Sequence, residues 1–403
     1  MKILQIHDSD LVGHNFNGYD LQKELIARGF VCKQLVKEKS SDDEHVIQMP
    51  MRGYVEQQLL NLERVLSLNN VFPPYGRVIE ESKEFQEADI VHIHMVHHYL
   101  ISYLDIPRLI SKKKCVWTIH DPWIFTGHCV HPLECESWKT GCNYCPKPER
   151  YFQLEEDHAA QLWQMKKTAL NNMDVDMVVA TNFMMNYLKE SPITENITHS
   201  HIIPFGINSG LFHEKTKEEC REEMQLKDQA LIIGFRVDDN DIKGCKYIWD
   251  MLRKLKYKKE LYIATIGTGT IPKDIRDTYK IISWGWTNAK EEIIKFHLIC
   301  DVFLMPSLAE SFGVMAIEAM AAESTVICFK DTVVEEITRA PKCGIAVEYA
   351  SSEAILGAMY RLLENQEELL LRGKLGREIV EQHYNMENYI NQHISLYEEI
   401  MDR

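Results

Sequence analysis

The chain has 403 residues, too many for one ordinary core and about right for two domains. Hydrophobic residues at 45% and charged residues at 26% allow both to be globular. Sixty acidic against forty-five basic side chains leave a formal charge of −15, which argues against a general nucleic-acid binder, and no apolar run approaches the length of a membrane span.

Met1-Lys-Ile-Leu-Gln-Ile passes straight into a strand with no n-region or cleavage site, so a cytoplasmic protein is expected. Its eleven cysteines should then be thiols or metal ligands rather than disulfides. Lys2 to His7 alternates, Asp8 to Asn17 is a polar loop carrying Gly13, and a helix from about Gly18 to Arg28 stops at Gly29. This βα unit puts Gly13 at the carboxyl end of the first strand, where doubly wound sheets bind ligands, although a plain βα turn would read the same. Residues 50–85 read as helical and polar.

Ala88 to His94 and Cys115 to Asp121 read as strands, with Lys112, Lys113 and Lys114 between them. Of His92, His94, His97 and His98 only the first two share a strand face, and no carboxylate is spaced to complete a metal site. The expectation is strand-end histidines lining a cleft. His120 ends its strand and Asp121-Pro122-Trp123 turns the chain away at once, so its ring can point into that cleft, unless it is simply a satisfied strand-end histidine.

Cys129, Cys135, Cys142 and Cys145 follow with the spacing C-x5-C-x6-C-x2-C. Four thiolates in one loop suit a structural tetrahedral zinc; four reduced thiols, or a redox pair at Cys142 and Cys145, are the other readings. Helices are expected at about Glu155 to Asn171 and Asn182 to Lys189, with the strand Met177 to Ala180 between them. In His201-Ile-Ile-Pro204-Phe-Gly206-Ile-Asn208, Pro and Gly mark a crossover. The domain boundary is placed there, giving 1–205 with about 385–403, and 206–384.

The second half restarts the alternation. Leu231 to Phe235 is a strand, Arg236 follows it, and Lys243-Gly244 opens a helix after Asp238 to Asp241, an acidic run read as a solvated turn rather than a metal motif. Leu261 to Gly269 is a strand ending in a glycine turn at Gly267, and Ile281 to Trp286 carries Trp284-Gly285. Then Val302 to Met305 is a buried strand, Pro306 ends it, and helix formers begin at Gly313. A helix opening at Ser311, Phe312 and Gly313 presents backbone N–H groups and its positive dipole end, which would hold a phosphate. Glu310 and Glu318 would repel a bare diphosphate, so their sense is to accept hydrogen bonds from hydroxyls on either side of it, as a nucleotide sugar supplies. An acidic first turn on an ordinary buried helix is the alternative. Glu353 to Leu363, Leu370 to Glu381 and Met386 to Ile400 close the chain as helices.

Glu310, seven intervening residues, Glu318 and then Ala-Met-Ala resemble the signature of retaining glycosyltransferases of the GT-B fold, family 4. Trp117-Thr-Ile-His-Asp-Pro-Trp-Ile-Phe-Thr-Gly-His-Cys resembles the branch of that family that builds bacterial exopolysaccharide, capsule and lipopolysaccharide. Pro204-Phe-Gly206-Ile-Asn208 resembles the family's Pro-Asn-Gly-Val-Asp linker with Phe205 in place of Asn. One departure is that the family usually continues Gly-x-Pro-Val where this chain has Glu323-Ser324-Thr325-Val326.

The resemblance implies an α/β, GT-B architecture: two Rossmann-like doubly wound domains facing a cleft, with the last helix crossing back to the first. It implies that Arg236 and Lys243 bind the donor diphosphate, that Glu310 and His120 meet the donor sugar, and that Glu318 meets the ribose. Gly13, Gly267, Trp284, Gly285, Ser311, Phe312 and Gly313 would then approach the nucleotide. It further implies metal-independent transfer from a UDP- or GDP-linked sugar to a glycan or lipid-linked oligosaccharide. Lys112 to Lys114 with Arg108 would give a weak peripheral contact at the inner membrane face. A same-fold nucleotide-sugar epimerase and a non-catalytic nucleotide-sugar-binding protein are the competing readings.

Overall fold

The computed structural model describes residues 1–14, 16–50, 53–227 and 230–403. The chain divides into two compact units, Met1–Pro204 with Tyr389–Arg403, and Phe205–Asn388.

The first unit is built on a seven-stranded sheet. In chain order its strands are β1 (Lys2–Ser9), β2 (Val31–Glu38), β3 (Val46–Gln48), β4 (Ile90–Ile93), β5 (Lys114–Thr118), β6 (Asp176–Val179) and β7 (His199–Ile202). They pair in the order β3-β2-β1-β4-β5-β6-β7, every pair parallel. A parallel sheet needs both faces covered, and the sequence supplies this as unbroken apolar runs: all of β4 and β6 is buried, and so is β5 after Lys114. Trp117, Phe85, Tyr103 and Leu162 fill the core on these faces. The order reverses beside β1, so the carboxyl ends of β1 and β4 flank the point where such sheets bind ligands. Residues 50–85, expected to be helical, form helices at Gly53–Val65 and Tyr75–Glu81, with a third at Lys83–Glu87; residues 51 and 52 lie outside the described residues.

The helix Met386–Asp402 buries Tyr389, Ile390, His393, Leu396, Tyr397 and Ile400, one stripe at helical spacing. Its last carbonyls are capped: Lys114 Nζ donates to Ile400 O at 2.6 Å and Met401 O at 3.1 Å. Lys113 Nζ donates to Gln86 O and Ala88 O, and Lys112 pairs with Glu80, as does Arg108. The lysine cluster that the sequence offered as a membrane patch therefore has its ammonium groups engaged within the fold. Among the described residues no helix is long and apolar enough to cross a membrane.

The second unit carries a six-stranded parallel sheet of β8 (Leu231–Arg236), β9 (Leu261–Ile266), β10 (Lys280–Ser283), β11 (Val302–Met305), β12 (Thr325–Phe329) and β13 (Ile345–Val347), in the order β10-β9-β8-β11-β12-β13. Its reversal lies between β8 and β11, whose carboxyl ends carry Arg236 and Pro306. The helix Val314–Ala321 ends in a turn with Ser324 N bonded to Ala319 O at 2.9 Å and Glu323 N to Met320 O at 3.0 Å. Glu323 sits at φ 57°, a left-handed conformation that glycine adopts at least cost. The turn thus keeps its shape with a side chain where the resembling family has glycine, and Arg377 Nη1 meets that side chain at 3.1 Å.

Candidate active site

In the second unit, β8 delivers Arg236 to the switch point, where its Nη2 lies 2.6 Å from Asp238 Oδ2. Lys243 closes a short 3-10 turn, Asp241–Lys243, started by the Asn240 side chain accepting from Ile242 N. Gly244 then sits at φ 73° so tightly against Pro306 that an added Cβ would lie 1.9 Å from the Pro306 carbonyl oxygen. That close approach ties the end of β11 to the Lys243 turn. As a result Lys243 Nζ meets Glu310 Oε1 at 2.7 Å, across 67 residues of sequence. Ser307 Oγ donates to the same oxygen at 3.0 Å.

Gly313, at φ 96°, caps the helix Val314–Ala321 one loop further on. Ser311 is half-buried at this helix start. Phe312 is buried, its ring edge-on to Phe205 at 5.2 Å and to Tyr384 at 5.9 Å, so only its backbone could serve a ligand. Glu318 lies one and a half turns into the helix, its Oε2 3.4 Å from Nε2 of the fully buried His297. Among the described residues both ring nitrogens of His297 lack a hydrogen bond, and the Glu318 carboxylate is the charged group that Nε2 faces. Sequence reasoning alone misses His297, although a lone histidine among Phe296, Leu298 and Ile299 is the available signal. Gly267 stands at φ 109°, where a Cβ would lie 2.4 Å from Val237 O, and its N–H donates to Gly285 O at 2.7 Å. These glycines therefore join the loop after β9 to those after β8 and β10. Trp284 is half-buried, donating from Nε1 to Glu292 at 2.8 Å with its ring in an edge contact with Phe296.

The first unit gathers a different set. His120 follows β5, with its Nε2 3.2 Å from Nδ1 of His94, whose own Nε2 lies 2.6 Å from Gln5 Oε1. His92 stacks on His94 at 4.1 Å and is held between Tyr397 OH and Thr118 Oγ1, each at 2.7 Å. Burial holds the His92, His94 and His393 imidazoles below their ordinary range, His393 at about 4, and burial together with His7 lowers His120 to about 3. Of the histidines expected to line a cleft, His92, His94 and His97 are buried, the last stacked on Trp123 at 4.9 Å with its Nε2 3.2 Å from Asp121, and His94 and His97 border a small cavity together with His120. Gly13, at φ 69°, folds the loop after β1 so closely that a Cβ would meet the ring of Phe16, which lies 5.6 Å from the His120 ring.

In the cysteine loop, His128 Nε2 lies 3.2 Å from Cys145 Sγ and 3.9 Å from Cys129 Sγ, while Gly127 N donates to Cys142 Sγ at 3.3 Å. Burial pushes the Cys129 thiol up to about 12 and Cys142 to about 11. Among the described residues no group of three or more His, Cys, Asp or Glu is set to hold a metal ion. Buried Lys166 fixes the start of the loop, donating to Trp123 O at 2.7 Å and Thr126 O at 3.0 Å.

Residues 216–379 match the family model described as "Glycosyl transferases group 1". Among relatives, the chain is 35% identical over 91 residues to WcaC of Escherichia coli (strain K12), named as a putative colanic acid biosynthesis glycosyl transferase, covering 21% of this chain and 22% of that one. It is 21% identical over 210 residues to the MMP alpha-(1->4)-mannosyltransferase of Mycolicibacterium hassiacum, covering 50% and 49%. The chain thus spans half or less of the length of these two relatives. Among solved structures it resembles sucrose-phosphate synthase of Thermosynechococcus elongatus, with TM-score 0.73 at 16% identity over 100% of both chains. Anabaena Alr3699/HepE in complex with UDP and glucose matches with TM-score 0.68 at 14% identity over 99% of both. The match to the glycosyl transferase model covers residues 216–379, and the chain as a whole shares the GT-B fold of these structures.

Proposed function

We propose that this protein is a retaining glycosyltransferase of the family 4 type, moving a sugar from a nucleotide-sugar donor to a glycan or lipid-linked glycan in bacterial surface polysaccharide synthesis. The observation that carries the reading is the Lys243–Glu310 pair at 2.7 Å, held at the switch point beside a helix start and Arg236. A cation that can neutralise a leaving phosphate and a carboxylate that can accept from sugar hydroxyls are what the two ends of a sugar–phosphate bond require. The similar HepE structure is a complex with UDP and glucose, which supports a donor of this class, UDP- or GDP-linked.

In this reading the second unit binds the donor and the first the acceptor. Arg236 and Lys243 stabilise the departing diphosphate, together with first-turn N–H groups at Gly313. Glu310 and His120 hold the sugar, and Glu318 accepts from the ribose. The bond from the anomeric carbon to the phosphate oxygen breaks as the acceptor oxygen adds on the same face, and the acceptor proton passes to the departing phosphate. With two cations and a helix start on the diphosphate, the leaving charge is stabilised by the protein itself. The cysteine loop is structural in this reading, and the metal content of purified protein distinguishes about one zinc per chain from four titratable thiols. Lipid sedimentation with wild type and a triple Lys112/Lys113/Lys114→Glu variant tests the proposed peripheral membrane contact.

A thermal-shift screen against nucleotide sugars tests the core of the proposal, since a ligand at 100 times its Kd adds about 2.7 kcal/mol of stability. A nucleotide sugar that stabilises the protein and is consumed only when a glycan acceptor is added supports transfer. Product formed without acceptor would mark an epimerase instead, and no response to any nucleotide sugar would sink the reading.

A further inference from the structure

We propose that Asp8 and His98 form a subsite of the first unit for an uncharged sugar: Asp8 fixes the His98 ring through Nδ1, and Nε2 accepts a hydrogen bond from a hydroxyl of that sugar. That this sugar belongs to the acceptor rests on the reading above; the subsite itself does not.

The two residues meet across the switch point of the first sheet. Asp8 lies at the carboxyl end of β1 and His98 in the turn that follows β4, the strand ends where such a sheet binds ligands. Asp8 Oδ2 is 3.0 Å from His98 Nδ1. Burial works against the Asp8 charge, but hydrogen bonds with His7 and His98 hold its carboxyl well below the usual carboxylate range. Ionised, it only accepts, so His98 carries a proton on Nδ1 in either charge state and Nε2 is its titrating atom. The His98 side chain is 49% exposed, and among the described residues its Nε2 makes no hydrogen bond. The ring is thus held at one nitrogen and open at the other.

The surroundings select the charge of the ligand. The hydrogen bond from Asp8 raises the His98 imidazole above its ordinary range and Asp121 adds to this, while burial and Lys37 oppose it. Lys37, on β2, is already committed, with its Nζ 3.3 Å from Glu56 Oε1 and donating to His98 O at 3.1 Å. His97, in edge contact with His98 at 4.9 Å, is paired with Asp121. An anion would therefore meet carboxylates and a lysine that is already paired, whereas a hydroxyl donates to neutral Nε2 without that repulsion. The half-buried Phe152 ring lies 5.6 Å from His97 and 6.5 Å from His98, an apolar neighbour for the C–H groups of a sugar ring. His7 is an independent sign. It is 3% exposed and its Nδ1 lies 2.6 Å from Asp8 Oδ1, yet among the described residues its Nε2 has no hydrogen bond. A buried ring nitrogen is costly until something bonds to it, and the His7 ring also meets that of His120 edge-on at 6.4 Å.

Long-range 15N–1H correlation of the histidine rings in the 15N-labelled full-length protein tests this, with His98→Gln assigning the signals. The probes are the methyl glycosides of glucose, galactose and mannose, each uncharged, and methyl glucuronide as the anion. With the His98 ring neutral, its proton should sit on Nδ1, and at least one uncharged probe should shift its Nε2 signal saturably. The shift should vanish once acid has charged the ring, because an imidazolium has no lone pair to accept with. Asp8→Asn keeps an accepting oxygen and removes the charge, so the His98 titration midpoint should fall by about one pH unit. A neutral His98 protonated on Nε2, no shift with any uncharged probe, or a shift with methyl glucuronide alone overturns the proposal, and none of these needs a variant to fold. With a nucleotide sugar that stabilises the protein as donor, kcat/KM for the bound probe should fall about tenfold or more in His98→Ala with the donor KM unchanged. A probe that binds at His98 and is never glycosylated would overturn its place in the acceptor while leaving the subsite as measured.

Discussion

At the carboxyl ends of the two sheets, one buried histidine cluster of the first unit and the charge pairs of the second are built on opposite electrostatics. In the first unit Gln5, His92, His94 and His120 are uncharged, mostly buried groups joined by hydrogen bonds and ring contacts. In the second, Lys243 with Glu310 and Arg236 with Asp238 are opposite charges only partly withdrawn from water, with Lys243 and Glu310 side chains 25% and 15% exposed. The difference teaches what each can do. A buried neutral network resists titration and orients a ring, because charging any member costs desolvation that nothing repays. Paired charges near the surface hold each other at modest cost and can be re-paired by an incoming anion, which is what a diphosphate site needs.

The largest effect should come from breaking a charge pair. Lys243→Ala removes a cation and leaves the Glu310 carboxylate facing the diphosphate, so transfer should fall by two orders of magnitude or more, and Arg236→Ala should act alike through Asp238. The double variant Lys243→Ala with Glu310→Gln should recover part of the nucleotide affinity without recovering turnover, a non-additivity expected of contacting groups. Near-wild-type rates in both single variants would remove these residues from the site.

Within the charged region, the two glutamates should separate. Glu318→Gln should weaken free nucleotide binding on the order of tenfold, as a ribose partner would. Glu310→Gln should spare free nucleotide and weaken only the nucleotide sugar or its transfer. Equal losses of free nucleotide in calorimetric titrations would show that Glu310 does not face the sugar.

The neutral region should declare itself through acid stability. A histidine whose folded pKa is depressed binds more protons unfolded, so its contribution is fully present above the unfolded value near 6.5 and is lost as pH falls below it. With His393 at about 4 and His120 at about 3, each should remove up to roughly 1.4 kcal/mol per pH unit between about pH 6 and those values. Urea midpoints measured from pH 7.5 to 5 should therefore fall well before carboxylates titrate. A flat profile over that range would show that the network is not held neutral.

The smallest effect lies outside both regions. Glu323→Gly should relieve the left-handed backbone at φ 57° and raise stability by about 0.5–1 kcal/mol, with activity unchanged. A drop in melting temperature would mean that the ion pair with Arg377 outweighs the backbone strain.

Much of this is legible in the sequence because it is local. Val302 to Met305 is an unbroken apolar run suited to a doubly covered strand, and Gly313 before helix formers marks a helix start. Arg236 and Lys243 stand out as cations directly after a strand and directly before a helix, positions that physics links to ligands without knowing the fold. The three-residue strands β3 and β13 are not legible, since so short a run carries no period. The backbone of Phe312 is placed at a helix start by its neighbours, but whether its ring faces a ligand or the core depends on Phe205 and Tyr384, far away in sequence.

The sequence by itself determined the two parallel α/β halves, the strand-loop-helix at 302–321, and the residue types that could meet a nucleotide sugar, because periodicity, glycine placement and charge are properties of neighbours along the chain. Only the tertiary structure decided which groups face one another: Lys243 with Glu310, His297 beneath Glu318, and Gln5 behind His94 behind His120. Those pairings join residues tens of positions apart, and the register of parallel strands that brings them together is set by core packing that no local pattern records.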